Sequence, residues 1–123
     1  MSASLRLEIF VADLDDFVDF YTRVLGFTVG RDLRDVEHAY VAVVRDGIEI
    51  GASHAWEPVD AAVRHVPAGV EIVIEVDDLA FEEQRVNASG WPVESPVRER
   101  PWGLTDFRVH DPDGYYIRLT SRR

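Results

Sequence analysis

Val11-Ala12-Asp13-Leu14 and Val76-Asp77-Asp78-Leu79 lie 65 residues apart, and each sits inside the same larger pattern. Ahead of the first, Leu5, Leu7, Ile9 and Val11 alternate with Arg6, Glu8 and Phe10. Period two predicts a strand over 4–11 with one apolar face. Ahead of the second, Val70, Ile72, Ile74 and Val76 alternate with Glu71, Val73 and Glu75. A helix follows each tetrapeptide. In the first, Asp13 fits an N-cap, and Asp15 and Asp16 fit a first turn, where the helix dipole favours acids. Leu14, Phe17, Val18, Tyr21, Val24 and Leu25 then recur at helical spacing, and Gly26 stands where the helix should stop. The second helix has a weaker stripe, Leu79 and Val86, and ends at Ser89-Gly90.

Three strands follow each helix. In the first half they are Phe27–Leu33, Ala39–Val44 and a return from Ile48 after the Asp46-Gly47 turn. In the second half, Trp91–Val97 carries two prolines and reads as an edge strand. Leu104–His110 and Tyr115–Thr120 flank Asp111-Pro112-Asp113-Gly114. There Pro112 presets φ, Asp113 is placed to bond its own backbone, and Gly114 accepts positive φ. The order strand, helix, three strands therefore occurs twice. Two such modules each have one face left to bury, and they fit one domain by laying their sheets side by side. The expectation is a single α+β domain over 1–123. Module one covers about 1–53 and module two about 70–123. The connector, 54–69, loses periodicity and contains Pro58, Pro67 and Gly69.

With 123 residues and 46% hydrophobic content, the chain can bury a core. Its net charge of −10 disfavours nucleic acid and anionic membrane surfaces as partners. No run of about 18 apolar residues is present. The start, MSASLRLEIF, lacks a basic segment followed by a long apolar one, so a cytoplasmic protein is expected. Without cysteine there is no disulfide, thiolate metal site or cysteine nucleophile. His54 and His65 lack zinc-site spacing, and neither a phosphate-cradling glycine loop nor a nucleophile elbow occurs.

The duplicated βαβββ order resembles the glyoxalase/bleomycin resistance protein/dioxygenase group, the vicinal oxygen chelate superfamily. FVADLDDFVDFYTRVLGF at 10–27 and RPWGLTDFRVHDPDGYYIRL at 100–119 carry the resemblance. The Pro101-Trp102-Gly103…Phe107…Asp111-Pro112-Asp113-Gly114 segment looks most like the bleomycin-resistance branch. The resemblance implies two modules forming a cupped mixed sheet around a cavity, paired into a homodimer. It also implies where a metal would be held: one His, Gln or Glu on the first and on the last strand of each module.

Aligned by the Val-x-Asp-Leu marks, the first-strand positions are Arg6 and Glu71. The last-strand positions are Glu49 and Arg118. Two of the four are arginine, which stays protonated and offers no lone pair. No metal and no other cofactor is expected. Two readings of the Arg/Glu ring stay open. Salt bridges, Arg6 with Glu49 and Glu71 with Arg118, would plug the space of a metal. Alternatively, the guanidiniums replace the metal's charge and hold an anionic or oxygen-rich ligand. Glu8, Phe10, Glu75 and Tyr116 share the parity of these positions. Trp56, Trp91 and Trp102 fall in or beside connectors. Trp102 resembles the cleft tryptophan of the resistance branch, whereas Trp91 reads as packing. His110 is a weaker candidate for a general base.

The leading expectation is metal-independent binding of a small organic molecule by Arg6, Glu8, Phe10, Glu49, Glu71, Trp102, Tyr116 and Arg118. Drug sequestration is one form of it. An acidic cleft with aromatic walls would suit a cationic, planar ligand. The enzyme alternative is a divalent-metal-dependent lyase, isomerase or dioxygenase of the glyoxalase type. A third reading is an orphan metabolite-binding domain.

Overall fold

The computed structural model describes residues 2–55, 59–66 and 69–122. Trp56, Pro58 and Pro67 of the connector lie outside the described residues. The chain divides into two compact units, Met1–Ala61 and Ala62–Arg123, and the boundary falls within the expected connector. Each unit is one βαβββ module with its own four-stranded mixed sheet.

In the first unit, β1 (Leu7–Val11) leads to α1 (Leu14–Asp19), and β2 (Thr28–Leu33), β3 (Tyr40–Arg45) and β4 (Ile48–His54) follow. The sheet order is β1-β4-β3-β2, with β1 parallel to β4 and the other pairs antiparallel. Asp13 caps α1, its carboxylate accepting from the Asp16 amide at 3.0 Å. The helix does not continue regularly to Gly26. It widens into a π turn over Phe20–Val24, where the Leu25 amide reaches back to the Phe20 carbonyl. The Thr22 hydroxyl donates to the Val18 carbonyl at 2.6 Å, a back-bond that competes with the regular helical ladder. Through this turn Phe20, Tyr21, Val24 and Leu25 are all buried. They pack with Ile9, Val11, Val41, Val43 and Ile50 as the core of this unit. Gly26 ends the segment at φ 78°, the left-handed conformation its place in the sequence predicts. The apolar face of β1 is shorter than expected, because Leu5 precedes the strand and is 93% exposed.

In the second unit, β5 (Ile72–Val76) leads to α2 (Leu79–Ser89), followed by β6 (Ser95–Glu99), β7 (Thr105–His110) and β8 (Tyr116–Ser121). The order β5-β8-β7-β6 repeats the first sheet. It places β6 at the edge, as expected, although the strand starts at Ser95 and holds only Pro96 of the two prolines, and its register slips between Ser95 and Arg98. Asp78 caps α2 by accepting from the Phe81 amide at 3.0 Å. Val86 is buried, but the other inward residue of the helix is Glu82, 4% exposed and paired with Arg85 at 2.8 Å. That is why the helical stripe is faint in the sequence.

The Asp111–Gly114 turn forms as expected, with Gly114 at φ 94°. The carboxylate that organises it is Asp111 rather than Asp113. Asp111 accepts from the amides of Asp113 (2.9 Å) and Tyr115 (2.8 Å). Asp113, equally buried, instead pairs with Arg64 at 2.8 Å. An Asx turn forms at the first turn position because only there does the side chain reach the amides two and four residues on.

Candidate functional site

In each sheet the alternation leaves one face turned from the helix, and the candidate residues stand on it. In the first unit these are Arg6, just ahead of β1, with Glu8 and Phe10 on β1 and Glu49 on β4, all exposed. Glu8 is the hub. Its Oε1 lies 2.5 Å from Arg6 Nε and accepts from the Tyr40 hydroxyl at 2.9 Å. The expected Arg6–Glu49 pair is the looser contact, at 3.9 Å. These charges are exposed, so their pairing contributes little, about 0–1 kcal/mol.

Gly51, opposite Glu8 in the β1–β4 register, makes room for this arrangement. A Cβ there would fall 2.1 Å from the Tyr40 hydroxyl and 2.2 Å from Glu8 Oε2. Burial, followed by the hydrogen bond to Glu8, raises the Tyr40 hydroxyl above its ordinary pKa of 10.0. Gly51→Ala is therefore expected to push the two side chains apart, move the Tyr40 pKa back toward that value and cost about 1 kcal/mol. A 13C-tyrosine NMR titration with a urea melt checks both. A pKa raised on folding gives stability that is whole below pH 10 and lost above it, so the variant should also show a weaker alkaline loss.

Phe10 lines a cavity of about 360 Å³ with His38, Ala39, Ser53 and His54. No sequence signal singled out Tyr40 or His38 for this face.

In the second unit, Glu71 stands just ahead of β5, and Arg118 and Tyr116 stand on β8. Arg118 Nη2 meets Glu71 Oε1 at 2.9 Å, the pairing expected from the alignment. Glu75 is exposed on β5. Trp102 is 55% exposed, in the loop between β6 and β7. Trp91 is half-buried, and its indole N–H donates to the His110 carbonyl at 2.8 Å, in keeping with a packing role. His110 is exposed, with its ring 5.2 Å from that of Tyr116.

The most heavily bonded residues here are ones the sequence reading did not single out. Asp106, on β7, is fully buried. It accepts from Arg100 Nε at 2.7 Å and lies 3.4 Å from Arg108. The turn that seats Arg100 is closed by the Arg100 amide on the Leu104 carbonyl (2.8 Å) and by Gly103 at φ 92°. Arg108 Nη1 donates to the Tyr116 hydroxyl at 3.1 Å, and that hydroxyl donates to Glu94 at 3.1 Å. Tyr116 first, and Asp106 with it, raise the Arg108 pKa above its ordinary value. The Arg108 guanidinium carbon lies 6.0 Å from the centre of the Trp102 ring and 5.8 Å from that of Tyr116. Where an acidic cleft with aromatic walls is expected, Arg100, Arg108 and Arg118 stand among the acids Asp106, Glu71 and Glu94. A signal for Arg108 was available. Counting outward from the Asp111–Gly114 turn pairs His110 with Tyr116, and two steps further pairs Arg108 with Arg118.

A metal fits these positions poorly. Arg118 occupies one ligand position and engages the carboxylate of the next, and Arg6 stands at the corresponding place in the first unit. No group of three or more His, Asp or Glu side chains that could hold a metal ion occurs among the described residues.

The family model for the Glyoxalase/Bleomycin resistance protein/Dioxygenase superfamily matches residues 4–119. A lactoylglutathione lyase of Escherichia coli O157:H7 is 32% identical over 120 residues, covering 92% of this chain and 87% of that protein. A probable lactoylglutathione lyase of Vibrio cholerae serotype O1 is 29% identical, covering 92% and 86%. Among solved structures, TioX from Micromonospora sp. ML1 superposes with a TM-score of 0.79 at 22% identity, covering 99% of this chain and 100% of that one, a likeness of fold alone.

Proposed function

Because the chain belongs to the glyoxalase/bleomycin resistance protein/dioxygenase superfamily, whose fold alone does not dictate chemistry, we propose that it binds a small organic molecule without a metal. The observation behind this reading is the Arg118–Glu71 pair, 2.9 Å apart at two positions where the resemblance puts metal ligands. A guanidinium brings a permanent positive charge and several fixed N–H donors, but no lone pair. It repels a divalent cation and attracts the oxygens of an organic ligand. The first unit, taken by itself, has an arginine at the corresponding place, Arg6, paired with Glu8 at 2.5 Å. Trp102 and Tyr116 add aromatic surface for a flat molecule. Sequestration of a drug is the simplest form of this function, since it needs binding and no turnover. Two copies pairing as a homodimer belong to the same reading.

One observation favours a second reading. Relatives named lactoylglutathione lyase match along most of the chain at 29% and 32% identity. A divalent-metal-dependent lyase of that type is the alternative. Metal analysis of protein purified without chelators separates the two. The expected result is far less than one metal per chain. Stoichiometric nickel, zinc, iron or manganese would overturn the proposal. In a thermal-shift screen of bleomycin-type and other planar drugs, a ligand at 100 times its Kd should add about 2.7 kcal/mol of stability with no metal present.

A further inference from the structure

β7 and β8 bring Arg108 and Arg118 directly opposite each other on one face of the second sheet. Opposed residues on antiparallel strands hold their Cβ atoms about 4.5–5.5 Å apart, and like charges there destabilise the pair. The repeat does not require this. In the first unit, Val44 faces Glu49 at the matching place. Nor does solvent relieve it, because the two side chains are only 20% and 21% exposed.

The partners of these arginines are incomplete. Glu71 is the one side chain that the Arg118 guanidinium pairs with among the described residues. Arg108 shares Asp106 with Arg100. The Nε–H of both Arg108 and Arg118 is buried with no hydrogen-bond partner among the described residues. Arg108 Nε lies 3.4 Å from an Asp106 oxygen but is not aligned to bond it. Three guanidiniums thus face two carboxylates, Asp106 and Glu71. Glu94, exposed, is bound to the Tyr116 hydroxyl instead. A crowded cation pair with spare buried donors suits a monoanion with two acceptor atoms.

We infer that Arg108 and Arg118 form a subsite for the carboxylate of a planar aromatic small molecule. One carboxylate oxygen takes each guanidinium, through its Nε–H edge after a rotation of the side chain. The exposed fifth of each side chain is the route of approach. The rings of Trp102 and Tyr116, both about 6 Å from the Arg108 guanidinium, give the ligand's ring a flat surface beside its carboxylate. The inference rests on the metal-free binding reading and names its ligand class.

The test compares indole-3-carboxylate with its neutral isostere indole-3-carboxamide, by calorimetry on the full chain without added metal. The carboxylate is expected to bind at least about tenfold more tightly, the worth of one charge-assisted hydrogen bond. Arg108→Gln and Arg118→Gln should each remove that preference, bringing the two probes to within about threefold of each other. In the unaltered protein, the 15N–Hε signals of Arg108 and Arg118 should shift on adding the carboxylate, which needs no variant to fold. Equal affinity for the two probes, or Arg Hε signals that stay in place, overturns the subsite and leaves metal-free binding standing. Binding of either probe only after a divalent metal is added overturns the reading beneath it. Failure of both probes to bind under any condition overturns the aromatic carboxylate assignment.

Discussion

Asp106→Ala is expected to destabilise the protein by about 3–5 kcal/mol, the cost of removing one partner from a buried ion pair. The Asp106 side chain is fully buried, and those of Arg100 and Arg108 are 12% and 20% exposed. Removing the carboxylate leaves both guanidiniums desolvated with no anion between them. Among the described residues, the Arg100 side chain would retain only its bond to Ser95 Oγ at 2.9 Å. Asp106→Asn keeps an acceptor for Arg100 Nε and should cost less than the alanine variant. Urea unfolding of the three proteins, with unchanged slopes, measures the difference. A loss below about 1 kcal/mol for Asp106→Ala would mean that the pair behaves as an exposed one. The same variant bears on function, because Asp106 holds Arg108 opposite Arg118. Even a folded Asp106→Asn should disturb carboxylate binding.

Tyr21→Ala should have a comparable effect for a different reason. Tyr21 lies in the π turn, is fully buried and touches three other rings. Its centroid is 4.7 Å from Phe17, 4.9 Å from Phe20 and 5.8 Å from Phe27, the last two edge-on. Removing a buried aromatic ring typically costs about 3–5 kcal/mol, through lost transfer energy and the cavity left behind. The edge-on contacts add to that. The expected fall in Tm is roughly 10–20 °C for a chain of this size. Calorimetric unfolding measures it. A fall of under about 3 °C would mean that the segment refills the space, returning from the π turn to a regular helix.

The parts legible in the chain are those set by local periods. Alternation at Ile9 and Val11, and again at Ile74 and Val76, marked the buried faces of β1 and β5. Asp13 announced the start of α1, and Gly26 and Gly90 announced the helix ends, because capping needs only neighbouring residues. Leu5 was misread because alternation continued past the point where a partner strand exists. β4 pairs with β1 only from Leu7 onward. Glu82 was passed over because a charged residue gives no apolar signal, even where pairing with Arg85 lets it be buried.

The site shows the same division. Identity at each position was readable, so Arg6, Glu49, Glu71 and Arg118 could be weighed as ligands before any geometry was known. Partnership was readable for Glu71 with Arg118 but not in the first unit or around Asp106. Glu8 rather than Glu49 takes Arg6, and its bond to Tyr40 depends on Gly51 leaving a gap on the neighbouring strand. Asp106 becomes a buried anion only because the turn after β6 folds Arg100 over it.

By itself, the sequence determined the two βαβββ modules, the faces of their strands and the arginine at residue 118. Periodicity, caps and turn residues act over a few positions and need no distant contact. Only the tertiary structure decided that Glu8 takes Arg6, and that Arg118 shares its sheet face with a buried Asp106 held between Arg100 and Arg108. Those relations depend on strand register and on chain segments far apart in sequence, and the free energy of a charge is set by what surrounds it rather than by its own identity.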